Sequence, residues 1–444
     1  METVIDKTTI NKYPAYKDSG IEWSGLVPEA WEFLPIRAIF EERNEKNEGR
    51  KTDYILSVTK DRGVIPYDEK GAIGNNKSED IERYKLVYPN DFVINKMNVV
   101  IGSLGMSKYF GAFSQVYLVY KPRTSQININ YYSYIFSNPS FYKSLIKYCT
   151  GIMELRESLN KEDFKKLILP FPDYQTQTSI VEFLDSKTAL IDQAIDIKQK
   201  QIELLKERRQ ILIHKAVTRG LNPNVKMKDT GVEWIGEIPE GWEVFELKRL
   251  INPKRRITYG IVQPGEPDPQ GRYMIRGQDY SKGWADSESL FRVSNRIEEP
   301  YKRARVTSGD IIITIVGAGC GNLEIIPEWL DGANLTQTTA RVAIDQSAYW
   351  SKYFYFALLS NVGVSQMRLY IKGAAQPGLN LEHIKIYKLP IPSYKEQIEI
   401  SNYIDGMEVS FTTAISLKEQ EIEKLKEYKA TLINSAVTGK IKVC

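Results

Sequence analysis

The chain has 444 residues, 42% of them hydrophobic and 26% charged, with a formal net charge of +4. Chains of this length usually form more than one hydrophobic core, so a folded protein of two domains is expected. No apolar run reaches 18 residues, which argues against a membrane span, and Met1–Tyr16 lacks the apolar core of a signal peptide, so we expect a cytoplasmic protein.

The chain repeats itself, beginning near its N-terminal end. Lys17–Gly25 recurs as Lys228–Gly236, 211 positions later, and each copy continues into a Pro-Glu-x-Trp-Glu turn. A Leu-Pro-x-Pro piece closes each half, at Leu169–Pro172 and, 220 positions later, at Leu389–Pro392. The residues between these pieces share little identity. A duplicated frame around different inserts indicates two related modules that each recognise something different.

Inside each frame, predicted strands come before predicted helices. Strands are predicted at β-branched or aromatic runs: Asp91–Ile94, Gln115–Tyr120, Asp310–Ile315 and Ala340–Ile344. Helical patches follow at about 130–149 and 348–367.

Each half then ends in a long predicted helix, the first of which has neither Pro nor Gly over 175–217. An apolar stripe at helical spacing returns 220 positions later between charged residues. The stripe consists of Ile180, Leu184, Ile191, Ile195, Ile202, Leu205, Leu212 and Ala216, then Ile400, Ile404, Phe411, Ile415, Ile422, Leu425, Leu432 and Ala436. A narrow stripe needs a partner helix, and each copy can serve the other as an antiparallel coiled-coil partner.

The predicted fold class is therefore α+β: two globular mixed α/β domains separated by two long antiparallel helices that form a coiled-coil spacer, with a pseudo-twofold internal repeat. The first module is predicted at 1–172 and the first long helix at 173–219. The second module is predicted at 220–392, and the second long helix with a C-terminal tail at 393–444.

Both frames resemble the DNA-specificity subunit of Type I restriction–modification systems, over almost the whole chain from Lys17 to Val443. Five pieces carry the resemblance: Ser19–Trp23, the Leu-Pro-x-Pro boundaries, the Gln177 and Gln397 that follow them, Asn95–Asn98 with Gly102–Gly105, and Ala375–Leu381. Each piece is common alone, whereas their duplicated order is specific.

The resemblance implies a non-catalytic subunit of a prokaryotic complex. Each module would be a target-recognition domain for one half of an asymmetric, bipartite double-stranded DNA sequence. The helices would set the spacing between half-sites and dock two modification (methyltransferase) subunits, which restriction (motor and nuclease) subunits would join. No cofactor is expected in this chain, while the partner subunits are expected to use S-adenosylmethionine, ATP and Mg²⁺.

Motifs for catalysis within the chain itself are weak. The Asn-Pro pairs at Asn138, Asn222 and Asn252 do not continue into the Pro-aromatic turn of an amino-methyltransferase. The run Gly317–Gly321 follows a predicted strand, but Pro327 comes too soon for the helix that a cofactor-binding loop requires. A tight turn near DNA is the preferred interpretation.

The sequence has few residues that could form a metal site or disulfide bonds. Cys149, Cys320 and Cys444 are isolated, and the chain has only two histidines, His214 and His383. His214 lies near the C-terminal end of the first long helix, where the helix dipole favours a cation, and we interpret it in that way.

DNA contacts are predicted at polar and basic residues beside Gly, Ser or Tyr in loops, because Arg, Lys, Asn and Gln read base edges and phosphates. The candidates are Lys60, Arg62, Lys96, Asn98, Ser103, Lys108 and Arg156 in the first module, and Arg255, Arg256, Arg276, Gln278, Gln337, Lys372 and Gln376 in the second. A single Lys or Arg among these is more often a solvated surface charge.

Two other interpretations stay open at this point. A coiled-coil scaffold whose globular ends bind proteins is compatible with a net charge of only +4. A self-contained DNA methyltransferase would need an unusual cofactor loop at Gly317–Gly321.

Overall fold

The computed structural model describes residues 11–60, 62–71, 80–150, 158–281, 283–373 and 376–443. The chain divides into two compact units, one formed by 1–199 together with 419–444 and the other by 200–418. Each unit therefore combines one module with segments of both long helices.

The first unit is a mixed structure of short strands and short helices. Its strands are Tyr16–Asp18, Leu26–Pro28, Glu32–Pro35, Phe40–Glu42, Leu56–Thr59, Gly63–Pro66, Lys85–Val87, Phe92–Asn95, Leu104–Met106, Gly111–Phe113, Tyr117–Pro122, Cys149–Thr150, Ser158–Leu159 and Ile168–Phe171. Its short helices are Ile36–Ile39, Ile129–Ser137, Pro139–Ser144 and Lys161–Lys166, with 3-10 turns at Tyr67–Lys70, Val99–Ile101 and Leu145–Tyr148.

The second unit has a similar mixture. Its strands are Met227–Asp229, Glu237–Pro239, Glu243–Glu246, Thr258–Tyr259, Arg272–Ile275, Arg292–Val293, Ile311–Thr314, Leu323–Ile325, Asn334–Leu335, Thr339–Val342 and Lys388–Ile391. Its short helices are Asn295–Glu298, Ser351–Leu359, Asn361–Tyr370 and Leu381–Lys385, with 3-10 turns at Leu247–Arg249, Gly277–Asp279, Glu299–Ala304 and Glu328–Leu330.

The internal repeat extends to the sheet at the centre of each module, which we call the central sheet. In both modules it is a four-stranded antiparallel sheet with the same strand order. The order is Phe40–Glu42, Tyr117–Pro122, Phe92–Asn95, Leu104–Met106 in the first module and Thr258–Tyr259, Thr339–Val342, Ile311–Thr314, Leu323–Ile325 in the second. The shared topology confirms the predicted repeat in a region where the two sequences have diverged.

Of the four predicted strands, one in each module begins one residue too early. The third strand of each central sheet starts at Phe92 or Ile311, not at Asp91 or Asp310. Each aspartate instead ends the preceding turn, where its carboxylate accepts a hydrogen bond from the backbone N–H three residues earlier. The strand propensity of the residues therefore predicts that a strand forms, whereas the hydrogen bond from the turn to the aspartate side chain determines where the strand begins.

The helical patches are each divided in two. In the first module the helix ends before Asn138, and Asn138 caps the next helix, whose first residue is Pro139. Proline is well tolerated at the first helical position but cannot donate a hydrogen bond to a preceding turn. In the second module Ser360 caps the second helix in the same way, accepting from Val362 N.

The two long helices are Tyr174–Arg219, with 46 residues, and Tyr394–Val437, with 44 residues. All sixteen residues of the predicted stripe are buried or half-buried. In the first unit, Lys198 and Asp192 form ion pairs with Glu421 and Lys429, so the helix segments run antiparallel there. In the second unit, Arg209 Nε donates to Glu408 Oε1 at 2.7 Å in the same register.

A buried glutamine fastens the start of each long helix to its own module. Gln177 Oε1 accepts from Asn128 N, and Gln177 Nε2 donates to Pro172 O. Gln397, 220 positions later, accepts from Trp350 N and donates to Pro392 O. Because the amide uses both its donor and acceptor ends, no other side chain of this size could replace these contacts.

Candidate DNA interface

The predicted contact residues that the structure describes lie on several loops, and some of them lie on or beside one connection of the central sheet. We call this connection the strand turn: it joins the third and fourth strands and comprises residues 96–103 in the first module and 315–322 in the second. In each module the segment directly before the short helix Lys161–Lys166 or Leu381–Lys385 is hydrogen-bonded to the strand turn, and we call this segment the second loop. Leu159 N donates to Lys96 O at 3.0 Å, and Leu379 N donates to Ile315 O at 2.8 Å.

In the first module, the strand turn carries three predicted residues. Lys96 is half-buried and Asn98 is exposed, whereas Ser103 is only 5% exposed. The Asn98 carbonyl accepts from Ser103 N at 3.1 Å, which closes the turn. Lys96 and Asn98 are therefore available to a ligand, and Ser103 supports the turn from within.

The other predicted contact residues of the first module lie on other segments. Lys60 and Arg62 are exposed in the hairpin turn between Leu56–Thr59 and Gly63–Pro66, and Arg62 forms an ion pair with Glu69. That hairpin packs on the fourth strand so closely that a Cβ on Gly105 would lie 3.3 Å from Gly63 Cα. Lys108 is exposed beyond the far end of the same strand. Arg156 lies outside the described residues.

In the second module, three predicted residues share one open cavity of about 560 Å³. Arg276, Gln278 and Gln337 line it together with threonines and with Gly319 of the strand turn. Gln278 and Gln337 are exposed, while Arg276 is half-buried. Lys372 and Gln376 are also exposed, in the second loop, and Gly317 N of the strand turn donates to Pro377 O at 2.9 Å.

Arg276 is held in a fixed orientation by a buried carboxylate. Its Nε and Nη2 donate to Asp279 at 2.9–3.2 Å, and Asp279 is 3% exposed. The guanidinium also lies over the Phe291 ring, 5.8 Å from its centroid. Within the described part of the chain no hydrogen bond engages Nη1, so the edge formed by Nη1 and Nη2 remains available for a planar acceptor pair.

Arg255 binds its aspartate through the terminal edge of the guanidinium, the edge that Arg276 leaves free. Its Nη1 and Nη2 donate to the two oxygens of the fully buried Asp310, at 2.8 and 2.5 Å, and Nη2 also donates to Arg305 O. The terminal edge of this guanidinium is thus already occupied by protein. Its neighbour Arg256 is exposed, and its backbone carbonyl accepts from Arg341 Nη2.

The pair formed by Arg255 and Asp310 is itself duplicated, which sequence reasoning missed. In the first module, Arg43 Nε and Nη2 donate to Asp91 at 2.7 and 3.1 Å, and Asp91 is 2% exposed. Burial raises the pKa of both aspartates, and the paired arginine opposes that rise. The signal was present in the sequence as an aspartate at the first position of each of these predicted strands, but its arginine partner lies far along the chain.

The glycine run at Gly317–Gly321 forms the tight turn that we predicted. It connects strand Ile311–Thr314 to strand Leu323–Ile325 in an antiparallel hairpin, so the residues after the glycines are extended. Gly317 and Gly321 have φ values of 98° and 95°, a conformation that side chains with a Cβ rarely adopt.

The interpretation of His214 as a cation is wrong. Burial, reinforced by the charge of Arg219, lowers the pKa of His214, so the neutral imidazole is favoured. Desolvation at this half-buried position acts against the charged form, in the opposite direction to the expected effect of the helix dipole.

The described side chains include no group of three or more His, Cys, Asp or Glu placed to hold a metal ion. None of the helices described has the length and hydrophobicity that crossing a bilayer demands.

The comparison with protein families covers both halves of the repeat. Residues 28–207 and 239–427 each match the model of the Type I restriction modification DNA specificity domain. The chain belongs to this family. Membership confirms the resemblance drawn from the repeat frames and makes the chain a specificity subunit, not a catalytic subunit, of a type I restriction–modification system.

Individual relatives agree with this assignment. The EcoBI specificity subunit of Escherichia coli is 28% identical over 362 residues, which cover 79% of this chain and 73% of that protein. A putative type I restriction enzyme MjaX specificity subunit from Methanocaldococcus jannaschii is 24% identical, covering 94% of this chain and 95% of the relative.

Solved structures show the same fold at low sequence identity. A chain from a study of the assembly and conformational transition of the type I R-M system superposes with a TM-score of 0.69 at 10% identity, covering 94% of this chain and 99% of that chain. The HsdS subunit from Thermoanaerobacter tengcongensis gives a TM-score of 0.51 at 10% identity, covering 94% and 98%. The fold class predicted from the repeat is thereby confirmed.

Proposed function

We propose that this specificity subunit reads an asymmetric, split double-stranded DNA sequence, with one half-site assigned to each module. One observation carries the proposal: the central sheet is repeated with the same strand order, while the strand turns on it differ in sequence. Two readers built on the same frame but with different contact residues do not recognise the two halves of a palindrome equally.

The partners follow from the same proposal. Two methyltransferase subunits would dock on the paired helices, and motor and nuclease subunits would join that core. S-adenosylmethionine, ATP and Mg²⁺ would be used by those partners, because the glycine run of this chain is a hairpin turn and lacks the following helix of a cofactor loop. This geometry also weighs against a self-contained methyltransferase.

For the second half-site we propose that Arg276 contacts a base edge. Its free Nη1–Nη2 edge has the geometry for two parallel hydrogen bonds, and guanine offers O6 and N7 in a matching arrangement in the major groove. Gln278 and Gln337 lie on the same cavity and can each pair with an adenine edge or a phosphate. Arg255, whose terminal edge is bound by Asp310, is assigned a supporting role.

The first experiment is methylation mapping by long-read sequencing of DNA from cells that co-express this chain with its methyltransferase subunit. The expected result is one asymmetric split motif, absent when this chain is omitted. An assembled complex that methylates no new motif would overturn the proposal and favour a scaffold that binds only proteins.

The second experiment tests Arg276 itself. We expect Arg276→Ala to relax discrimination at one base pair of one half-site, by about 1–3 kcal/mol, and to leave the other half unchanged. Binding to duplexes that vary one base pair at a time measures this directly. Arg296→Ala is the matched control, because Arg296 is an exposed arginine of the same module that lies outside the cavity and is not a predicted contact residue.

A further inference from the structure

Three lysines of the first module contact a single, nearly buried carboxylate, and a fourth lies near one of them. Glu42, at the end of the first strand of the central sheet, has a side chain that is 9% exposed. Lys85 Nζ lies 3.8 Å, Lys161 Nζ 2.5 Å and Lys165 Nζ 3.4 Å from its oxygens. Lys96 is close enough that its charge acts on Lys85. We call these four lysines the lysine cluster.

The lysine cluster has more positive charge than its carboxylates balance. Lys165 also pairs with Glu162 at 3.2 Å, so Lys85, Lys161 and Lys165 share two carboxylates, of which Glu162 is largely exposed, and Lys96 adds a further positive charge nearby. Burial lowers the pKa of Lys85, Glu42 opposes that shift, and Lys161 and Lys96 add to it by repulsion. Excess charge that is partly withdrawn from water is stabilised by an added anion.

The lysine cluster is continuous with the predicted DNA-contact residues. Lys96 belongs to the strand turn of the first module, next to the exposed Asn98. The backbone of Lys96 accepts from Leu159 N, and the short helix Lys161–Lys166 begins two residues after Leu159. An anion on the lysine cluster would therefore lie beside a ligand held by the strand turn.

We infer that the lysine cluster binds backbone phosphates of the duplex whose half-site the first module reads. The inference rests on the proposed function and adds to it a positioning contact that no predicted residue except Lys96 provided. Lys161 and Lys165 are the more accessible members, with 36% and 25% of their side chains exposed, whereas Lys85 is 14% exposed and donates to Tyr117 O. Phosphate contacts of this kind fix the register of a protein on DNA without reading its sequence.

The second module offers a matched comparison. Its short helix Leu381–Lys385 follows the second loop as Lys161–Lys166 does in the first module, 220 positions earlier. Lys385 pairs with Glu382 as Lys165 pairs with Glu162, but Leu381 stands in the place of Lys161. The Lys–Glu pair is therefore present in both modules, and among the described residues only the lysine of the first module also contacts a carboxylate that further lysines share.

The test measures how duplex affinity falls with salt for the complex assembled with its methyltransferase subunit. Each lost phosphate contact reduces the slope of log K against log salt by about 0.9. We expect the double variant Lys161→Gln, Lys165→Gln to reduce the slope by about 1.8, to weaken specific and non-specific duplexes alike, and to leave the methylated motif unchanged. Lys161→Gln alone, which keeps Lys165 on Glu42, should reduce it by about 0.9.

Two further variants separate the possible outcomes. Lys385→Gln should leave the slope at the wild-type value, and Glu162→Gln, which removes a negative charge from the lysine cluster, should strengthen binding. If wild-type complex binds duplex and neither lysine variant alters its slope, the inference is wrong while the proposed function stands. If wild-type complex shows no salt-dependent duplex binding, the proposed function itself fails.

Discussion

At the scale of single residues, the buried aspartates before the third strand of each central sheet have a structural function. Asp310 accepts from Arg255 and from Thr307 N, and Arg341 lies close enough for its charge to act on it. Burial, reinforced by the charge of Arg255, lowers the pKa of Arg341 to about 10. The carboxylate therefore offsets two partly desolvated cations, which explains why the arrangement is fixed in the fold.

We expect Asp310→Asn to destabilise the protein by about 3–5 kcal/mol, because removal of one partner leaves a buried charge uncompensated. Urea denaturation measures the loss. Asp286→Asn, at an exposed position of the same module, is the control and should change stability by less than about 0.5 kcal/mol. Equal stability of the two variants would show that Arg255 is solvated without Asp310.

Asp279 is expected to act on DNA recognition through Arg276 and not by direct contact. Asp279→Asn should weaken discrimination at the same base pair as Arg276→Ala, because the guanidinium loses the carboxylate that orients it. The decisive measurement is a double-mutant cycle: in the Arg276→Ala background, Asp279→Asn should have almost no further effect on discrimination. Additive effects would mean that Asp279 supports the cavity independently of Arg276.

At the scale of elements, the long helices are the part of the fold that sequence predicts best. An apolar stripe that continues over many helical turns and occurs twice in the chain indicates that the two helices pack against each other. The predicted limits of 173–219 lie within one residue of the observed helix Tyr174–Arg219. The loops are predicted less well, because their contacts join residues far apart in the chain. Nothing local to Arg255 indicates that its terminal edge is occupied by Asp310, 55 positions later. The sequence therefore sufficed to name candidate DNA-contact residues, but it could not show which of their side chains are free to contact DNA.

The helices also give a prediction about spacing. Inserting one heptad after Lys200 and another after Gln420 should lengthen the helical segments by about 10 Å and the gap of the methylated motif by about three base pairs. Paired insertions leave the ion pair of Lys198 with Glu421 and that of Arg209 with Glu408 in register. Methylation mapping reads the new gap. An unchanged gap in an assembled, active complex would mean that the helices do not set the spacing.

At the scale of the whole molecule, the repeat makes each module a separable part. The strands that open and close the second module, Glu243–Glu246 and Lys388–Ile391, pair with each other in antiparallel register, so the two ends of the insert are neighbours. The frame residues on either side, Trp242 and Gln397, contact Glu396 and Pro392 and lie outside the insert. A different insert of the same fold can therefore be joined at these points, provided that it keeps the contacts that bind the helices, such as the backbone N–H at position 350 that donates to Gln397.

This separability predicts the result of a module exchange. Replacing residues 243–391 by the corresponding segment of another family member should change one half of the methylated motif and leave the other half and the gap unaltered. The reason is that the first central sheet, its strand turn and the lysine cluster all lie outside the replaced segment. Replacing 32–171 is the reciprocal control and should change only the other half. Changes in both halves from a single exchange would mean that the two modules read DNA jointly, and the division of the target into independent half-sites would have to be abandoned.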